Sequence, residues 1–251
     1  MANILSTYAI IQKEFVNNRN DIFYDYVLNK RKLDKSVIEE FKLGYNEKFF
    51  NVKNNEPLIG RKAITIPIYD FLNRIVGYQS RFIEDTKING KEMRYLNTYV
   101  IPNVYEKKKM FYNLPNVINN CYNRNVYVVE GVFDLFSCYS QGIKNIVATA
   151  GNRMSEEMIE ILYRYFDRVI FIMDGGESGV EMINFKNDRL KELELWGVQI
   201  NMNGGEVKDT NDMLINGYDI KEYINGNKRK LGNDFWGKWN RNKIILDKFN
   251  R

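Results

Sequence analysis

The chain of 251 residues contains no histidine, and that absence excludes more chemistry than any other feature of its composition. A Ser-His-Asp triad, a histidine general base and the usual histidine-containing zinc sites are ruled out. Only two cysteines are present, Cys121 and Cys138. They cannot build a disulfide framework or complete a structural zinc site, and they fit a reducing cytoplasm. Proline is scarce, at 4 residues. No apolar run reaches the eighteen or so residues of a membrane span, so no membrane association is expected. The start, MANILSTYAIIQKEF, lacks the basic segment, apolar core and small-residue cleavage site of a secretory signal. Any chemistry must therefore rest on carboxylates, lysine, arginine, hydroxyls and a metal bound through oxygen.

What is present is unevenly charged. The net charge of +5 conceals about +7 in residues 1–125, −8 in residues 126–226 and +6 in the tail 227–251. A basic half joined to an acidic half suits a polyanion-binding surface beside a metal site, or unrelated solvated faces. With 44% apolar and 27% charged residues, the chain is an ordinary globular protein.

The spacing predicts helices up to Gly44, one capped by Asp21 and one by Asp34. The Asn-rich stretch 45–60 reads as loop. AITIPIYD (63–70) and RIVGYQSRF (74–82) read as a hairpin, followed by a charged loop over 83–94. From residue 126 the texture becomes strand–helix alternation. Strands are predicted at 126–130, 145–150, 168–173 and 197–202, and helices at 134–141, 155–165 and 177–195. Shorter helices follow near 211–216 and 219–225. This pattern argues for a parallel α/β sheet. In such sheets ligands bind beyond the carboxyl ends of the strands. Two dense apolar runs end in acids there, VYVVE at Glu130 and RVIFIMD at Asp174. Carboxylates delivered to that edge suit a hard divalent cation.

VVEG with Glu130, MDGGESG with Asp174, and KDTND with Asp209 and Asp212 resemble the TOPRIM domain of primases, topoisomerases and several nucleases. The upstream segments are more specific. RKLDKSVIEEFKLGY, GRKAITIPIYD, RIVGYQSRF, RYLNT and YEKKKMFYNL resemble, in the same order, the RNA-polymerase core of DnaG-like DNA primases. The resemblance covers roughly residues 20–216. It implies an α/β fold: an α+β N-terminal subdomain (1–125), a Rossmann-like TOPRIM sheet with flanking helices (126–216) and a short helical basic tail (217–251).

The same resemblance implies synthesis of short RNA primers from NTPs on a single-stranded DNA template, with Mg²⁺ or Mn²⁺ and no zinc. Glu130 and Asp174 would be catalytic. Asp209 would join them as a metal ligand, with Glu177 as a candidate because Gly176 stands where the family has the second aspartate of a DxD pair. Arg31, Arg61, Arg81, Arg94, Asn97 and Lys107 fall where the family places groups facing template, product or triphosphate. Tyr78, Tyr95 and Tyr112 suit stacking on unpaired bases or burial in the core. By the same resemblance, the family's zinc-binding and large helicase-binding domains are expected to be missing from this sequence. The DFWGKWNR tail suits docking of a replicative helicase, or packing on the sheet. A TOPRIM nuclease would share the acids without needing the basic hairpin or RYLNT. A non-catalytic nucleic-acid-binding accessory protein is the remaining alternative.

Overall fold

The computed structural model describes residues 13–51, 56–88, 90–99, 110–120, 123–150, 154–175 and 188–231. Asn20 caps a short helix, α1 (Asp21–Tyr24), by accepting from the Phe23 amide. The cap thus falls one residue before the predicted Asp21, which instead supplies a first-turn negative charge. The chain then continues through a π-helical turn, Asp25–Lys30. As expected, Asp34 caps α2 (Lys35–Glu40), accepting from Ser36 N at 2.7 Å.

Two strands occupy much of what reads as loop in the sequence. β1 (Gly44–Asn51) pairs antiparallel with β2 (Glu56–Tyr69), followed by β3 (Ile75–Phe82) and β6 (Tyr95–Tyr99), in the order β1-β2-β3-β6. Among the described residues, β1 has a partner on one side only. Asparagine and lysine suit such an edge strand, so polarity there is no sign of a loop. The predicted hairpin is present, closed where the Asp70 carboxylate accepts from the Leu72 and Arg74 amides. Within the charged loop, β4 (Lys87–Ile88) and β5 (Lys91–Glu92) form a two-stranded ribbon. α3 (Leu114–Asn120) follows.

The second sheet has the order β11-β10-β9-β7-β8, built from β7 (Asn125–Val129), β8 (Ile146–Ala148), β9 (Arg168–Met173), β10 (Glu194–Gln199) and β11 (Arg229–Lys230). Its four larger strands run parallel; β11 is antiparallel. Among the described residues, its helices are α4 (Val132–Ser140), α5 (Glu156–Tyr165), α6 (Thr210–Ile215) and α7 (Ile220–Asn227). The helix expected over 177–195 ends differently. Residues 188–192 form a 3₁₀ turn and β10 already begins at Glu194, while residues 176–187 lie outside the described residues.

Successive residues of β7 and β9 face opposite layers. Val126, Val128, Val169 and Phe171 pack with α5 residues such as Met158 and Leu162. Val129, Ile170 and Ile172 pack with α4 and with Phe23, Ile38 and Ile64 of the N-terminal half. Burial on both faces is why these strands read as unbroken apolar runs. The second layer is one continuous core joining both halves. Phe41 lies 4.8 Å from the rings of both Phe136 and Tyr139. Among the described residues, no helix is long and apolar enough to cross a membrane.

Candidate metal and nucleotide site

The sheet order creates the site. The chain leaves β7 for β8 on one side, and leaves β9 for β10 on the other. Connections diverging from neighbouring parallel strands open a crevice at their carboxyl ends. Glu130 directly follows β7 and Asp174 directly follows β9. The register pairs Val128 with Phe171. Extending it two residues sets Glu130 level with Met173, one step short of Asp174.

A cavity of about 700 Å³ lies over this edge. Glu130, Asp134, Asp174, Asp209 and Asp212 line it together with Arg31, Arg81 and Arg94, and Glu84, Asp85 and Glu92 add further acids. Six sequence-predicted residues therefore meet: Glu130, Asp174, Asp209, Arg31, Arg81 and Arg94. Asn97 reaches the rim indirectly, accepting from Nε2 of the cavity-lining Gln79 at 3.1 Å. Arg61 is exposed on β2 and is not part of the lining. Lys107 and Glu177, with Gly176, lie outside the described residues. Tyr78 and Tyr112 are buried core residues. Half-buried Tyr95 lies under Arg81, whose guanidinium carbon is 4.8 Å from the ring centroid.

The acids are crowded. Burial pushes the Asp174 carboxyl up to about 7, reinforced by the charges of Glu130, Asp209 and Asp212. Burial also raises Glu130, whose Oε2 is buried with no hydrogen-bond partner among the described residues. Asp209 is raised by burial and by the Asp212 charge. Its Oδ1 caps α6, accepting from the Asp212 amide at 2.6 Å.

Asp134 is the acid that sequence reasoning missed. It is 8% exposed, and Thr210 Oγ1 donates to its Oδ1 at 3.1 Å. Burial holds its carboxyl well above the ordinary range, with Asp174 and Asp209 adding to the shift. A first-turn acid in a helix reads as a macrodipole partner. The signal that would have found it is its setting: every residue from Val132 to Tyr139 is buried, and Asp134 alone among them is acidic.

Like charges kept together away from water are unfavourable unless a cation offsets them. Hard oxygen donors fit a divalent ion of the Mg²⁺ type, and so does the unpartnered oxygen of Glu130. Among the described residues, no three of these acids enclose an ion by themselves. Mg²⁺ is usually held by one or two carboxylates together with water and substrate phosphate.

Gly175 fixes the turn that delivers Asp174. Its amide donates to the Lys208 carbonyl at 2.6 Å, and an added Cβ would stand 2.6 Å from the Ile200 carbonyl oxygen. Gly175→Ala is expected to cost about 1–3 kcal/mol, because backbone rather than a flexible side chain must move. Urea denaturation measures the cost; an unchanged midpoint would mean that the turn has room to spare.

A Toprim-like family profile matches residues 127–214. A DNA primase from Rickettsia bellii is 29% identical over 204 residues, covering 71% of this chain and 33% of the relative. The chain spans about a third of the length of the curated primases it matches. The structure of a DnaG catalytic core superposes with a TM-score of 0.71 at 17% identity, covering 89% of this chain and 78% of that one. A DnaG primase catalytic domain solved bound to ssDNA gives 0.69 at 16% identity, covering 90% and 79%. Primases with Toprim domains generally use a divalent metal. The chain has the fold of a DnaG-type primase catalytic core, and its residues 127–214 match a Toprim-like profile.

Proposed function

We propose that this chain synthesises short RNA primers on single-stranded DNA by metal-dependent nucleotidyl transfer from NTPs. The observation that carries the proposal is one cavity lined by both strand-end carboxylates and arginines, with room for a polyphosphate. Glu130, Asp174 and Asp209 would hold the ion, with Asp134 beside them and Glu177 following Asp174. The ion is Mg²⁺ or Mn²⁺ rather than zinc, since carboxylate oxygens favour the hard cations. When bound, it supplies charge stabilisation at the phosphate and eases ionisation of the attacking 3′-hydroxyl.

The rest falls to the chain's own side chains. Arg31, Arg81 and Arg94 pair with phosphate oxygens and orient the triphosphate and primer end. Asn97, held by Gln79, offers an amide to sugar or base. Arg61 on the exposed sheet face and Lys107 meet the template backbone. We assign these roles to a basic part (1–125), a TOPRIM part (126–216) and a tail (217–251) whose stretch after Leu231 docks a replication protein such as the replicative helicase. The setting is the cytoplasm, where template and NTPs are found.

Incubation with single-stranded DNA, labelled NTPs and Mg²⁺ or Mn²⁺ tests the proposal. The expected product is template-dependent RNA, absent when the metal is chelated. A cut template would make the protein a nuclease, and binding without either product would make it an accessory protein.

A further inference from the structure

One phenolic oxygen holds two of the cavity arginines. Tyr26 Oη accepts from Arg31 Nε at 3.1 Å, from Arg31 Nη2 at 2.9 Å and from Arg81 Nε at 3.3 Å. Two like-charged side chains from different elements, one beside the π-helical turn and one on β3, are thereby set side by side. Tyr26 is 5% exposed, and its ring meets Phe133 edge-on at 6.1 Å. Phe133 immediately precedes Asp134, and both line the cavity with Arg31 and Arg81.

The π-helical turn makes the arrangement possible. In an α-helix, residues five apart point about 140° away from each other. Here the Arg31 amide donates to the Tyr26 carbonyl at 3.0 Å, a bond spanning five residues, and the widened turn brings both side chains to one side. Arg31 is also tied to the Toprim-like half. Its Nη1 donates to Asn211 Oδ1 at 2.8 Å, and Asn211 Nδ2 donates to the Arg31 carbonyl at 3.1 Å and to Ser137 Oγ at 3.0 Å.

We propose that Tyr26 is a positioning residue whose hydroxyl pairs Arg31 and Arg81 into a two-pronged clip for the polyphosphate of the incoming nucleotide. The inference rests on the nucleotidyl-transfer reading of the cavity. Without the hydroxyl, the two guanidiniums lose their common acceptor and separate, while the buried ring still packs on Phe133.

Tyr26→Phe tests it, with calorimetric binding of inorganic tripolyphosphate in Mg²⁺ as the direct probe and primer synthesis as the second. Tripolyphosphate affinity is expected to fall about tenfold, in keeping with the loss of hydrogen bonds to charged groups. The KM for NTPs should rise by a similar factor and kcat should change much less, a split that a general loss of packing would not give. In an Arg81→Gln background the effect should shrink to about twofold, because Tyr26 acts through Arg81. Unchanged tripolyphosphate affinity in Tyr26→Phe would overturn the clip, as would a full tenfold loss in the Arg81→Gln background or a wild-type protein that does not bind the probe. If wild type binds and Tyr26→Phe weakens it, yet neither makes RNA, the clip stands and the polymerase reading falls.

Discussion

Asp174→Asn is expected to slow primer synthesis by two to three powers of ten and, in the absence of divalent metal, to make the protein more stable. The two effects have one cause. Asp174 sits at the end of a buried strand among Glu130, Asp209 and Asp212, and its carboxyl is raised to about 7 by burial and by those charges. A neutral amide of the same shape removes a repelled charge and leaves β9 and the Gly175 turn as they are. It also removes an anionic oxygen from the proposed metal site. Loss of about 3–4 kcal/mol of transition-state stabilisation corresponds to the expected fall in rate. Initial rates at saturating NTP and thermal melting in EDTA at pH 8 give the two numbers. A fall in both rate and melting temperature would mean that Asp174 holds the fold together. A fall in neither would remove it from the site. Opposite signs are the mark of an acid kept at a stability cost for function.

Glu130 and Asp174 are legible in the sequence because each terminates an apolar run too dense to be anything but a buried strand. The cavity's position follows from the strand order, which sequence alternation only partly reveals. Other parts are hidden for identifiable reasons. β1 is an edge strand, and its polar residues imitate a loop. Asp134 lies in a helix, where an acid in the first turn has an ordinary electrostatic explanation. Tyr26 and Arg31 are brought together by a π-helical turn, and the α-helical period of 3.6 sets residues five apart on different faces. Asp209 was legible as an acid and only structurally recognisable as a helix cap, since its carboxylate serves α6 while facing the cavity.

The metal-free protein is expected to lose stability as pH rises from about 4 to about 7, the reverse of the usual behaviour of surface carboxylates. The sign follows from Asp174. Its ordinary value is 3.8 and its folded value about 7, so between these limits the folded chain keeps a proton that the unfolded chain has released. Stability linked to that proton is fully present below the lower value and is gone above the upper one. One such proton gives a slope of at most about 1.4 kcal/mol per pH unit. Asp134, Asp209 and Glu130 are displaced in the same direction by burial and so reinforce it. Asp34 and Asp70 oppose it only at lower pH. The Ser36 hydrogen bonds lower Asp34; for Asp70, burial raises the carboxyl but its bonds to Arg74 and Leu72 outweigh that, so both contributions fade below their ordinary value of 3.8. Melting in EDTA should therefore peak near pH 4 and fall by roughly 5–10 °C by pH 8. Added Mg²⁺ or Mn²⁺ should restore most of that loss at pH 8 and little at pH 5, since a cation competes with protons for the same carboxylates. A flat EDTA profile, or a metal shift equal at both pH values, would contradict the crowded-acid site. Asp174→Asn should make the slope shallower, and the slope that is left belongs to Asp134, Asp209 and Glu130.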